Sequence, residues 1–212
     1  MSFLSPADHV RIKICGITRL EDAITASVLG VDALGFVFYD KSPRYIHPAD
    51  AAVIIRQLPD TVAAVGLFVN PMQQQIDEVL ADCPVDIIQL HGHESAEFCL
   101  AQTRPVMKAV AVSRPDDLQR AASFSCPVLL DAKAPAGVFG GTGKSFDWSL
   151  LQGFTHNFPL ILAGGLNAEN VAQALAVRQW FAVDVSSGVE MSPGLKDAGK
   201  IQAFVTAVRS CR

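Results

Sequence analysis

The sequence predicts an α/β fold: a single eight-stranded (β/α)8 barrel. Three observations carry that prediction. Short β-branched or aliphatic runs alternate with stretches of helical period, recurring about every 25 residues along the chain, as βα units on a parallel sheet do. Eight such runs can be counted, and eight strands close a barrel. The length of 212 residues lies somewhat below the ~250 typical of that fold but inside its range. An open doubly wound sheet uses the same alternation, so periodicity alone does not separate the two.

The strand-like runs are Arg11–Cys15, Ala33–Phe38, Ala63–Val69, Asp86–Leu90, Val106–Ala111, Val128–Asp131, Leu160–Ala163 and Ala182–Val185. Between them, apolar residues fall at helical spacing over Glu21–Leu29, Ala49–Leu58, Met72–Leu80, Ala96–Ala101, Asp116–Ser123, Ala168–Ala176 and Asp197–Val208. Pro48, Pro71 and Ser95 supply opening signals for three of these helices. The sixth unit is the exception. Its helix, around Trp148–Leu151, is stunted and follows the longest loop, Ala132 to Ser145. No Pro/Gly/Ser-rich linker divides residues 1–212, so one catalytic domain is expected.

Composition narrows the function. The chain is half hydrophobic and only 18% charged, which argues against disorder. A net charge of −4 gives no basic face for nucleic acid, so an anionic small molecule would have to be held by local groups. No apolar run approaches the ~18 residues of a membrane span, and Met1–His9 lacks a signal pattern, so a cytoplasmic protein without membrane contact is expected. The five cysteines are scattered without a C-x-x-C pair, which points to reduced thiols.

Barrel enzymes build their sites at the C-terminal ends of the strands, so the residues that end each strand are the informative ones. The first strand stops on Cys15 beside Gly16, and the sixth stops on Asp131. At one rim, that places a thiol and a carboxylic acid around a shared pocket, an acid and a base for proton transfer. Strand seven runs into Gly164 and Gly165, and strand eight into Ser186, Ser187 and Gly188. Glycine backbones and serine hydroxyls after these two strands fit a phosphate cradle.

The second strand leads to Arg44 in a proline-stiffened loop, an arginine fork suited to a planar carboxylate. Gln89 and His91 share one parity after strand four and are expected to line the pocket. His91 and His93 could together ligate a metal, but no thiol or carboxylate set completes a site, so none is expected. The run Gly140, Gly141, Thr142, Gly143, Lys144, Ser145 ends like a P-loop. It lacks the glycine that motif needs five residues before Gly143, where Val138 stands, and a flexible lid fits better.

These motifs, in order, resemble the phosphoribosylanthranilate isomerase family. The likeness runs through Lys13–Thr18, Gly35–Phe38 with Ser42–Ile46, Gly66–Asn70, Gln89–Gly92, Leu130–Asp131, Gly140–Trp148, Ala163–Asn167 and Val185–Glu190, covering essentially the whole chain. His93 departs from the acidic residue expected there, and Ala168 from a common proline; neither touches the acid–base pair. The resemblance implies a (β/α)8 TIM barrel acting in tryptophan biosynthesis. The reaction implied is an Amadori rearrangement of N-(5-phosphoribosyl)anthranilate to 1-(2-carboxyphenylamino)-1-deoxyribulose 5-phosphate.

The resemblance further implies Cys15 as general base, Asp131 as general acid, Arg44 against the anthranilate carboxylate, and the two glycine-containing loops on phosphate. It implies no cofactor and leaves monomer or homodimer open. Some members are fused to indole-glycerol-phosphate synthase; with ten residues ahead of the first strand, no such partner is expected in this chain. The reaction needs a neutral acid and a basic thiol near pH 7, whereas free Cys titrates near ~8.5 and free Asp near ~3.9, so burial, neighbours or substrate must tune both. Two rivals stand beside this reading. An aminoaldose isomerase of histidine synthesis uses paired aspartates, against which the thiol speaks; a non-catalytic phosphate-binding barrel has no use for both Cys15 and Asp131.

Overall fold

The structure, a computed structural model, describes residues 3–5, 8–132 and 147–211. Eight parallel strands close into a barrel: β1 (Arg11–Cys15), β2 (Ala33–Val37), β3 (Ala63–Phe68), β4 (Ile87–Leu90), β5 (Val106–Val112), β6 (Val128–Ala132), β7 (Leu160–Leu162) and β8 (Ala182–Val185). Closure is decided at β1, which pairs with β2 on one side and with β8 on the other. The closed barrel, rather than the open sheet, is therefore the architecture.

Strands buried on both faces explain why the runs read as nearly continuous hydrophobe instead of alternating. Outward-facing residues such as Ile14, Leu34, Phe36, Ile88, Leu130 and Val183 pack in one cluster against helix residues including Ala23, Ala26, Ala51, Ile76 and Phe204. The opposite parity fills the barrel. Ala33, Val65, Ile87, Met107, Leu129, Ile161 and Ala182 form its interior layer with Phe3. The Arg11 guanidinium closes this lower end, 5.7 Å from the Phe3 ring centroid and 5.3 Å from that of Phe181.

The helices α1 (Leu20–Val28), α2 (Pro48–Ile55), α3 (Gln73–Asp82), α4 (Ala96–Leu100), α5 (Pro115–Ala122), α6 (Val171–Ala176) and α7 (Ala198–Arg209) form the outer ring. Pro48 and Pro115 occupy first-turn positions, where a missing N–H is harmless. Ser95 accepts from the Phe98 N–H at 3.2 Å and Asp197 from Lys200 N–H at 2.9 Å, capping α4 and α7. In the sixth unit a single 3₁₀ turn, Trp148–Leu151, stands where a helix would be, as its stunted pattern suggested.

Three departures from the sequence reading have local causes. Helix α6 begins at Val171 rather than Ala168 because Asn167 Oδ1 accepts from the N–H groups of Glu169 and Asn170, at 2.9 and 3.0 Å, and turns the chain. Helix α2 stops at Ile55, three residues short of the expected Leu58; Gln57 and Leu58 donate to carbonyls three residues back, tightening the last turn. After β8 an unexpected antiparallel hairpin forms from β9 (Glu190–Ser192) and β10 (Leu195–Lys196), turning at Gly194 with φ 82°. Among the described residues no helix is long and apolar enough to cross a membrane.

Candidate active site

The C-terminal ends of the strands surround a cleft open to solvent at its mouth. Cys15 and Asp131 both line it. Each is buried apart from the face it shows the cleft, at 6% and 7% exposure. A one-residue change of register in either strand would have turned its group outward into the helix layer.

Asp131 is held at both oxygens. Oδ1 accepts from the Ala132 N–H at 2.8 Å, and Oδ2 lies 3.2 Å from His91 Nε2. On its other side the His91 ring meets the Gln89 amide, with Nε2 of Gln89 3.0 Å from Nδ1. With that amide N–H on Nδ1, the ring proton sits on Nε2 and points at the carboxyl. Gln89 and His91 thus both line the cleft, on the shared parity the sequence indicated. Gln89 is fully buried, and its Oε1 has no partner among the described residues.

Cys15 stands above a buried ion pair. Lys13, fully buried on the same face of β1, donates from Nζ to Asp184 Oδ1 of β8 at 2.8 Å. Burial pushes the Cys15 thiol up from its ordinary value; Lys13 pulls it down, Asp184 pushes it up again, and Lys196 pulls it down. Burial prevails, so the resting thiol keeps its proton at neutral pH. For Lys13 the sign is reversed: burial disfavours its charge, but Asp184 and Cys15 together hold the ammonium above the usual lysine value.

Arg44 lines the cleft, but its fork is already engaged. Its Nε and Nη2 donate to the two oxygens of Glu190, at 2.9 and 2.7 Å. The sequence reading put that fork against a ligand carboxylate; here the edge formed by Nε and Nη2 is engaged by Glu190, and the other N–H donors face no acceptor among the described residues. Glu190 also accepts from Lys196 Nζ at 2.8 Å, and Lys196 donates in turn to the Cys15 carbonyl at 2.6 Å. Burial raises the Glu190 carboxyl, but Arg44 and Lys196 outweigh it and leave the group below its usual range.

Gly164, Gly165, Ser186 and Ser187 line the cleft. Gly164 has φ 87°, and a side chain there would strike the Ala132 amide and come within 2.9 Å of Asp131 Oδ1. Gly188 is not among the lining residues. A Cβ there would run into the Leu166 carbonyl, so the glycine lets two loops approach. The Ser186 hydroxyl donates to the Cys15 carbonyl at 2.9 Å. Gly140, Gly141, Thr142, Gly143 and Lys144 lie outside the described residues.

His91 and His93 are held by different partners. The His93 backbone N–H donates to Asn70 Oδ1 at 2.6 Å while the His91 ring faces Asp131. Among the described residues no three His, Cys, Asp or Glu side chains gather as a metal site. Sequence reasoning missed Lys13, Asp184, Glu190 and Lys196. A signal existed for the first: a lysine inside an apolar strand, two residues before Cys15 and on its face.

The profile of the N-(5′-phosphoribosyl)anthranilate isomerase family matches residues 12–207. The chain belongs to the phosphoribosylanthranilate isomerase family. It is similar to the N-(5′-phosphoribosyl)anthranilate isomerase of Pseudomonas paraeruginosa, with 52% identity over 204 residues that span 95% of this chain and 96% of that protein. The crystal structure of phosphoribosyl anthranilate isomerase from Thermotoga maritima is similar at TM-score 0.89 and 48% identity, covering 95% of this chain and 99% of that one. A phosphoribosyl anthranilate isomerase solved in complex with reduced 1-(o-carboxyphenylamino)-1-deoxyribulose 5-phosphate is similar at TM-score 0.86 and 45% identity, with the same coverage. Membership of the phosphoribosylanthranilate isomerase family makes the chain an isomerase of tryptophan biosynthesis.

Proposed function

We propose that the cleft carries out the Amadori rearrangement of N-(5-phosphoribosyl)anthranilate, with Asp131 as general acid and Cys15 as general base. The observation that carries this reading is the opening of both side chains onto one cleft. The loops with Gly164, Gly165, Ser186 and Ser187 take the phosphate, Gly188 keeps them in contact, and the free donors of Arg44 meet the anthranilate carboxylate.

Protonated Asp131 gives its proton to the furanose ring oxygen. The C1–O bond breaks with its electron pair going to that oxygen, and the nitrogen lone pair forms the C1=N iminium. Cys15 then removes the C2 proton. The C2–H pair becomes the C1=C2 bond, the iminium nitrogen recovers its lone pair, and the enolamine tautomerises to the ketone.

The order of events reconciles this role with a thiol that rests protonated. A thiolate beside Lys13 is disfavoured by burial until a second positive charge, the iminium, arrives in the cleft. His91 keeps the Asp131 carboxyl directed into the cleft through the first step. Nothing in the sequence of bonds requires a redox or metal step, so turnover is expected to survive exhaustive chelation; loss of activity restored by one added metal would contradict that.

Purified Cys15→Ala and Asp131→Asn are each expected to lose at least ~100-fold in kcat, since a positioned acid or base contributes roughly 10²–10⁴-fold. The decay of phosphoribosylanthranilate fluorescence reads the rate. Near-normal turnover in either folded variant overturns the role assigned to that residue.

A further inference from the structure

The chemistry just described has no stated use for Lys13, the largest fully buried polar side chain of the barrel. A buried ion pair is weak support for a fold, because a well-packed apolar pair in the same space is often as stable or more so. The layer below, with Val65, Leu129 and Ile161, is apolar but for Arg11 at its lower end. Packing alone therefore does not account for a lysine at this height.

Its position does. A methyl group placed on Gly35 would come within 2.9 Å of Cys15 Sγ and 3.1 Å of Lys13 Nζ, so sulfur and ammonium flank one point in the barrel wall. An ammonium has three N–H donors. One is spent on Asp184 Oδ1 at 2.8 Å, and the charge lies near enough to the Cys15 thiol to pull its ionisation down. The register supports the arrangement, with Lys13 directly opposite Asp184 across the β1–β8 pairing that closes the barrel.

We propose that Lys13 is the positioning residue through which Cys15 works: its ammonium, held charged by Asp184, stabilises the thiolate that forms once the substrate ring opens. The proposal rests on the reading of Cys15 as base. The other charges around that sulfur do not substitute for Lys13. Lys196 of β10 also pulls the thiol down, but less than Lys13 does, its hydrogen bonds going to Glu190 and to the Cys15 carbonyl. Asp131 and His91 face each other on the far wall of the cleft. Arg44 is neutralised by Glu190. Lys13 is thus the cation directed at sulfur, and Asp184 is the anion that makes it tolerable to bury.

The test is the pH dependence of Cys15 alkylation by iodoacetamide in the intact protein, read by mass spectrometry of the Cys15 peptide, alongside the kcat–pH profile. In Lys13→Met the alkylation midpoint is expected to rise by about one to three pH units, and the acid limb of kcat to rise with it, since an opposite charge at this range shifts an ionisation by that much. A merely structural lysine would leave both midpoints where they are. Should Lys13→Met fail to fold, the double variant Lys13→Met/Asp184→Leu, which replaces the ion pair by an apolar pair, must still show an upward movement, a smaller one because Asp184, which pushes the thiol up, is lost with Lys13.

An unmoved midpoint in whichever of these variants folds overturns the proposal. The two readings fail separately. Normal turnover by Cys15→Ala removes the base while a shifted midpoint would stand; an inert Cys15→Ala with an unshifted midpoint removes only the part assigned to Lys13.

Discussion

Leu129 and Asp131 stand two residues apart on the same face of β6, and they belong to different worlds. Leu129 is fully buried in the lower interior with Val65, Met107 and Ile161, below the cleft. Asp131 is one pleat higher, where the same barrel face carries Cys15, Gln89 and Asp184 and opens onto the cleft. The lower layer has shape and no chemistry; the upper layer has polar groups held by other polar groups. A barrel can hold a polar rim because the layer beneath it is closed and largely apolar.

That contrast is easiest to break at its two extremes. Asp131→Asn is expected to cut kcat by at least ~100-fold while moving the unfolding midpoint little, because the amide fits the same space. Leu129→Ala is expected to do the reverse, losing about 2–5 kcal/mol of stability by denaturant titration with turnover per folded molecule nearly unchanged. If Leu129→Ala also cost Asp131-like losses in kcat, the two layers would not be separable.

The rim itself can be divided by Glu190→Gln. The amide keeps the shape but removes the charge that clamps Arg44 and balances Lys196. About a tenfold loss in kcat/KM, carried mainly by KM, is expected from a clamp on the substrate carboxylate, equivalent to ~1.4 kcal/mol. A loss confined to kcat would place Arg44 in the chemistry instead.

The smallest effects are those of pH on stability, and their signs differ between regions. Glu190 titrates below its usual range in the folded state, so its stabilising contribution is present above the unfolded value, near ~4.3, and is lost as pH falls through the lower folded one. Cys83, under the helix layer, is pushed by burial from 9.0 to about 11. Its contribution is present below pH 9.0 and is lost as pH rises toward about 11, so Cys83→Ala should flatten the alkaline fall in melting temperature.

The sequence exposed whatever is local. Eight buried strands show as apolar runs, and Cys15 and Asp131 show as the polar residues on which two of those runs stop. Gln89 and His91 were legible by parity alone. Contacts made by closure were not: Lys13 and Asp184 are 171 positions apart and meet because β1 pairs with β8, and Arg44 and Glu190 are 146 apart and meet across the rim. The β9–β10 hairpin escaped because strands of three and two residues carry too little alternation to be seen. The close approach of the Leu166 carbonyl to Gly188 was likewise invisible, because a glycine that admits a neighbouring carbonyl looks, in sequence, like one that admits a phosphate.

The most direct measurement of the acid–base claim is a single-turnover reaction, enzyme in excess, with phosphoribosylanthranilate carrying deuterium at ribose C2. With product release removed from the rate, removal of that hydron by Cys15 predicts slower decay of substrate fluorescence for the deuterated compound, with both compounds slowed at least ~100-fold in Cys15→Ala. Decay at the wild-type rate in Cys15→Ala, with the isotope effect unchanged, would mean that another group takes the proton and would contradict the account.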